Sequence, residues 1–313
     1  MKNLGNGVKN LGNRKSFLSV VSVISAGVLW GIISLFIKNM SVYGLDAMQI
    51  ATLRLIVAAV FFTIFVLIKN PKLLKFKIKD IWMFIGTGVV SVVLFNMTYF
   101  YTMIHSQASI AVVLLYTSPI FVMIISALIF KEKITIQKIV ALVMTFAGCI
   151  FVAGIIGGNM LVSPFILFTG ISAGLLYALY TIFGRFALEK YDTMTVTAYT
   201  FIFGTLGSLP FGKVVPAVRI VLENPKLVFL CIGIGIISTV LPYFFYTWGL
   251  ERMESGKAAI LVAVEPLVGA VIGMTVFHES RSLTKIVGIA LIIGAIIVLN
   301  INFQKKSSHL LTK

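Results

Sequence analysis

The sequence predicts an all-α integral membrane protein of ten transmembrane helices, built as two inverted five-helix repeats with both termini cytoplasmic. Three observations predict it: composition, the placement of charge, and an internal repeat. Hydrophobic residues fill 59% of 313 positions and charged residues only 12%. Apolar runs of about 20 residues, long enough to cross a bilayer core as helices, recur down the chain. They lack the two-residue alternation of barrel strands, and the charges gather between them, as a hydrocarbon solvent demands.

Ten spans follow, at 17–38, 46–68, 80–104, 108–130, 135–156, 162–186, 194–212, 227–250, 257–277 and 283–303. The polar segment 1–16 precedes the first span, which is too long for a typical cleaved signal peptide, and reads as a retained cytoplasmic tail. A second tail occupies 304–313, and the two repeats cover 17–156 and 162–303. The net charge of +16 is a matter of sidedness and gives no reason to expect nucleic acid. In this arrangement 19 of the 26 Lys and Arg residues lie in the two tails and at the even-numbered span ends, six lie opposite, and Arg54 lies within a span. An excess of basic residues on one side marks that side as cytoplasmic, which implies a plasma membrane or bacterial inner membrane.

Sliding the chain against itself by 147 positions lays Ile24-Ser-Ala-Gly27 on Ile171-Ser-Ala-Gly174. The same offset matches Tyr99 with Tyr246, Pro119 with Pro266, Glu132 with Glu279 and Lys138-Ile-Val140 with Lys285-Ile-Val287. Chance readily matches aliphatic residues, but not prolines, glutamates and lysines at one constant offset. Five spans per copy is an odd number, so the second copy enters the membrane inverted. Such pairs hold a substrate near the midplane and alternate between two nearly equivalent packings.

Within the apolar runs only two charges stand deep, Arg54 in the second span and Glu265 in the ninth. Intramembrane ionisable groups face a bundle interior, pair with one another, or line an aqueous path. Glu265 is therefore a candidate proton-coupling carboxylate or partner of a substrate amine. The alternative is a structural pair with Arg54 or a tyrosine. Arg54 in turn could satisfy backbone carbonyls with its five donors. Pro119 and Pro266 remove a backbone hydrogen bond and break the fourth and ninth helices.

Polar and aromatic residues at helical spacing mark inward faces. Trp30 and Ser34 follow Gly27 in the first span, matched by Tyr177 and Thr181 after Gly174 in the sixth. Asn96 and Tyr99 in the third are matched by Tyr243 and Tyr246 in the eighth, which makes them candidates for opposed gates. Tyr116 and Ser118 flank Pro119 as Glu265 flanks Pro266, so one repeat offers hydroxyls where the other offers a carboxylate. Glu132 and Glu279, each three residues before Thr135 or Ser282, are expected to anchor connectors, the Thr or Ser capping the next helix. The Gly86/Gly88 and Gly233/Gly235 pairs suit close helix packing.

No cofactor, metal set or enzyme constellation emerges: no two histidines have ligand spacing, and Cys149 and Cys231 sit inside spans.

Two five-span repeats, each with Pro119 or Pro266 in the penultimate helix and Glu132 or Glu279 at its end, resemble the EamA-type branch of the drug/metabolite transporter superfamily. Leu53-Arg54-Leu55 and Glu265-Pro266-Leu267 belong to the resemblance, which covers roughly 17–303. It implies a ten-helix fold around a central cavity and, commonly, export of amino acids, other metabolites or drugs. These motifs specify architecture well and substrate poorly. The expectation is an exporter of a small polar metabolite such as an amino acid, working in the lipid bilayer, with protons as a possible coupling ion and the oligomeric state open. An uncoupled facilitator, an importer and a non-transporting scaffold or accessory subunit are the alternatives.

Overall fold

The structure, a computed structural model, describes residues 2–154 and 163–301, with side chains from Ser16 onward. The expected span ends at 155–156, 162 and 302–303 and the tail 304–313 lie outside the described residues. In chain order the principal helices are α1 (Ser16–Ser41), α2 (Ala47–Lys69), α3 (Ile78–His105), α4 (Ala108–Ile129), α5 (Ile136–Ala153), α6 (Pro164–Leu188), α7 (Thr193–Ser208), α8 (Pro225–Leu250), α9 (Ser255–Thr275) and α10 (Leu283–Asn300). Among the described residues nine of these, all except α7, are long and apolar enough to cross a membrane. No strand occurs among the described residues.

Local chemistry sets the helix starts. Asp46 and Gln49 form a reciprocal capping box at α2. Thr135, Ser163, Asp192 and Ser282 each accept a backbone N–H of the first turn of the helix they precede. The caps expected at Thr135 and Ser282 are therefore present, and they accept from Lys138 and Lys285, which are repeat-equivalent.

The seventh span differs from expectation. Its helix is 16 residues long and ends at Ser208, four residues short of the expected 212. At 1.5 Å per residue it reaches about 24 Å, less than the roughly 30 Å of a hydrocarbon core. The chain then turns through Leu209–Lys213 into a separate helix, Val214–Leu222.

Helix α1 is interrupted at Ile32, with no counterpart in the continuous α6, and four further helices are locally irregular in repeat-related pairs. Both α4 and α9 break just before their prolines: Ala108–Leu115 gives way to Ser118–Ile129, and Ser255–Leu261 to Val264–Thr275. Gly27 of α1 and Gly174 of α6 admit the broken backbone closely. A Cβ at Gly27 would lie 2.6 Å from the Val262 carbonyl, and one at Gly174 2.9 Å from the Leu114 carbonyl. In α3 and α8 the helix widens to π geometry at Gly86–Leu94 and Ile236–Val240. Ser91 and Thr239 donate to carbonyls five residues back, Gly86 and Ile234, within the widened turns.

Packing repeats the same symmetry. Helix α1 lies on α8 and α9, as α6 lies on α3 and α4, and α5 lies along α10. The glycine pairs serve close approach as expected: a Cβ at Gly88 would meet the Gly204 nitrogen at 2.7 Å, and one at Gly235 would meet Val57 at 2.4 Å. Large apolar side chains such as Ile64, Ile68, Leu128 and Phe229 remain exposed around the girth. In water that much bare surface would drive association; in lipid it is the solvent-facing side.

Candidate functional site

A cavity of about 520 Å³ runs from the middle of the bundle to the end where α1 finishes and α9 leads into its connector. That volume suits a small ligand. At its deep end are Arg54, Tyr177, Tyr243 and Glu265, and at its mouth Lys38, Ser41, Phe277 and Glu279.

Eight of the residues singled out by sequence meet here: Trp30, Ser34, Arg54, Asn96, Tyr99, Tyr177, Tyr243 and Glu265. The break before Pro266 sets Glu265 in the first turn of the second half of α9. Its Oε2 accepts a long hydrogen bond of 3.4 Å from the Tyr177 hydroxyl, and the Tyr116 hydroxyl approaches the same carboxylate. Arg54 is buried, yet no hydrogen bond or ion pair to a described residue engages its guanidinium. Arg54 and Glu265 are close enough to attract electrostatically without pairing. Of the two structural partners considered for Glu265, a tyrosine is engaged and Arg54 is not. The expectation that Arg54 fills its donors with carbonyls is not met.

An aromatic floor closes the deep end. The Trp30 ring meets Tyr243 edge-on at 5.2 Å and Tyr246 at 5.7 Å. Below it the Thr181 and Tyr246 hydroxyls bond at 2.7 Å, as do those of Tyr180 and Thr247. Thr181 and Tyr246 thus line only a void of about 20 Å³ beneath the floor. Ser34 and Tyr99, their counterparts in position, line the open cavity instead. Tyr116 lines an adjoining space of about 240 Å³ that also touches Gly31, Val112, Glu265, Pro266 and Gly269. Ser118 is buried and belongs to neither lining, because it starts the second half of α4 behind the break.

Beyond the floor the bundle is tied shut. Glu132 accepts the backbone amides of Ser255 at 2.7 Å and Gly256 at 3.1 Å. Lys138 pairs with Glu254 at 2.7 Å and donates to the Lys133 carbonyl. Arg185 donates to the carbonyls of Leu250 and Met253. Glu132 therefore anchors α9 across the interface, beyond the connector role expected for it.

Sequence reasoning missed how much α2 contributes: Ala47, Ile50 and Ala51 line the wall beside Arg54. Their spacing of three and four residues leading up to Arg54 was the available signal, muted because all three are apolar. The mouth pair, with Lys38 Nζ 3.7 Å over the Phe277 ring, left no trace in spacing because it joins distant helices. No group of three or more metal-ligating side chains occurs among the described residues.

Comparison with known proteins fits this geometry. The chain is 26% identical over 270 residues to an uncharacterized transporter of Archaeoglobus fulgidus, covering 86% of this chain and 94% of the relative. It is 23% identical to the uncharacterized transporter YoaV of Bacillus subtilis (92% and 98% covered). It is 24% identical to the uncharacterized inner membrane transporter YicL of Salmonella typhimurium (92% and 97% covered). A crystal structure at 14% identity superposes with a TM-score of 0.75 over 90% of this chain and 96% of its own, which establishes the shared fold. The sequence pattern of the EamA-like transporter family matches twice, at 17–154 and again at 164–301. With both halves matched, this chain belongs to the EamA-like transporter family: it is a membrane transporter and not an enzyme.

Proposed function

We propose that the protein is a secondary transporter that exports a small polar metabolite such as an amino acid, by alternating access around the central cavity. All ten helices, the short α7 included, cross a plasma or bacterial inner membrane, with the halves inverted and both termini cytoplasmic. The Glu132 end then faces the cytoplasm and the open mouth faces outward. The asymmetry of basic residues supports that orientation.

One observation carries the substrate class. A buried Arg54 and a half-buried Glu265 share one aromatic-walled cavity without pairing with each other. A guanidinium binds a carboxylate through a planar fork, and a carboxylate accepts from an ammonium. Together they present two opposite charges to one small molecule, the charge pattern of a zwitterion. The aromatic wall of Trp30, Tyr177 and Tyr243 suits the apolar remainder or a cation face.

Counterflow in proteoliposomes tests the proposal. Saturable exchange of a labelled amino acid against unlabelled amino acid inside is the expected result, and an imposed pH gradient reports coupling. No saturable exchange across the common amino acids would sink the substrate class. No exchange of any metabolite in a broad panel would favour a scaffold role.

A further inference from the structure

The two ends of the bundle hold equivalent residues in different arrangements. At an offset of 147 positions, Glu132 corresponds to Glu279, Lys138 to Lys285 and Arg185 to Lys38. The local frames agree as well: Lys131 and His278, which precede the two glutamates, both adopt left-handed backbone, at φ 56° and 54°. The contacts do not agree. Glu132 caps the first amides of α9, whereas Glu279 is paired with Lys285 at 2.8 Å. Lys138 is turned to Glu254 and the Lys133 carbonyl, and no ion pair joins it to Glu132. Arg185 reaches the carbonyls at the end of α8, while Lys38 rests on the Phe277 ring.

The space between helices differs in the same sense. On the closed side the first half of α9 packs on the second half of α4, with Val122, Ala178 and Ala259 in one buried cluster. Their equivalents, Gly269, Gly31 and Val112, all line the adjoining 240 Å³ space. A Cβ at Gly269 would meet nothing within 4 Å. The gap therefore stands where the symmetry places a contact.

We propose that Glu279, Lys285 and Lys38 form the unfastened latch of the open end. On closure the Glu279 carboxylate leaves Lys285 and accepts the backbone amides of Ala108 and Ser109, the repeat equivalents of Ser255 and Gly256. Lys38 leaves Phe277 for the carbonyls of Met103 and Ser106, the equivalents of Leu250 and Met253, and Val112 closes on Gly269. The first amides of α4 and last carbonyls of α3 are groups that helix geometry leaves without intrahelical partners, and an ionised partner makes the stronger hydrogen bond to each. Glu279 and Lys285 are positioning residues, since they set which end is open without touching the substrate. The inference rests on the alternating-access reading above.

The experiment is disulfide trapping in native membranes, on a Cys149→Ala/Cys231→Ala background. The equivalent of the close Gly256 and Met123 pair is Ser109 and Ala270. Ser109→Cys/Ala270→Cys is expected to crosslink under mild oxidant and to shut the cavity mouth to thiol reagents. Adding Glu279→Gln lowers the crosslinking rate about tenfold through loss of the charged acceptor, whereas adding Lys285→Met raises it by freeing the carboxylate. Gly256→Cys/Met123→Cys crosslinks without these changes and reports correct folding of each background. Equal rates with and without Glu279→Gln, or no 109/270 crosslink where the 256/123 pair forms, would overturn the latch. Because trapping uses no substrate, a failed counterflow assay with Glu279-dependent trapping removes only the transport reading. Working counterflow without such trapping removes only the latch.

Discussion

At the scale of single residues, buried Arg54 and half-buried Glu265 stand apart in forming an ion pair neither with each other nor with another described residue. A guanidinium with no protein acceptor adds little to folding, so its burial must be balanced by water or ligand. Arg54→Lys should therefore leave the melting temperature nearly unchanged while weakening substrate affinity about tenfold, since an ammonium lacks the planar fork for a carboxylate. Ligand titration of the solubilised protein measures both. Glu265→Gln keeps the Tyr177 contact but removes the negative charge. Counterflow in this variant should fall at least about tenfold, the usual scale for loss of one ionic contact to substrate, and lose any pH dependence. Unchanged rate and unchanged pH profile would exclude a coupling role. Both residues were visible in the sequence because charge is rare in apolar runs. Lys38, lying at a span end like many other lysines, was not.

At the scale of helices, the broken and widened segments of α3, α4, α8 and α9 come in repeat-related pairs, and small residues make them possible. Prolines told where α4 and α9 break, since a missing N–H cannot be concealed. The π segments of α3 and α8 carry no comparable mark: Gly86–Leu94 and Ile236–Val240 read as ordinary apolar helix. The shortness of α7 was equally hidden, because Leu209–Phe211 continues the apolar run past the true end at Ser208. Glycine substitution separates packing from open space. Gly88→Val should cost about 1–3 kcal/mol of stability, as overpacking does, since its Cβ would meet the backbone of Gly204 and Thr200. Gly269→Val should leave stability within about 0.5 kcal/mol, the range of substitutions that clash with nothing. Thermal unfolding in detergent compares the two, and equal losses would show that the space beside Gly269 is not open.

At the scale of the whole molecule, a repeated sequence has folded into a structure whose helix packing is largely repeated and whose openings are not. The duplication was legible from the 147-residue offset, and the family pattern matches the chain twice, at 17–154 and 164–301. Which end is open was not legible, because both ends carry the same glutamate and lysine positions. Orientation is testable directly. Lys9→Cys should react with membrane-impermeant thiol reagents only from the cytoplasmic side, and Lys213→Cys only from the outside. Labelling of both from one side would contradict the inverted arrangement.

The Lys138–Glu254 ion pair on the closed side has a thermodynamic consequence. Position 107, the equivalent of Glu254, is glutamine, so closing the mouth gains no matching ion pair for Lys285. Two states related by near-symmetry would be equally populated if every pair were conserved; one unmatched pair tips the balance. At the modest value of a pair whose carboxylate is open to solvent, up to about 1 kcal/mol, the resting ensemble leans severalfold toward the mouth-open form, the form seen here. Gln107→Glu should restore the missing partner, even the two populations, and raise 109/270 trapping severalfold.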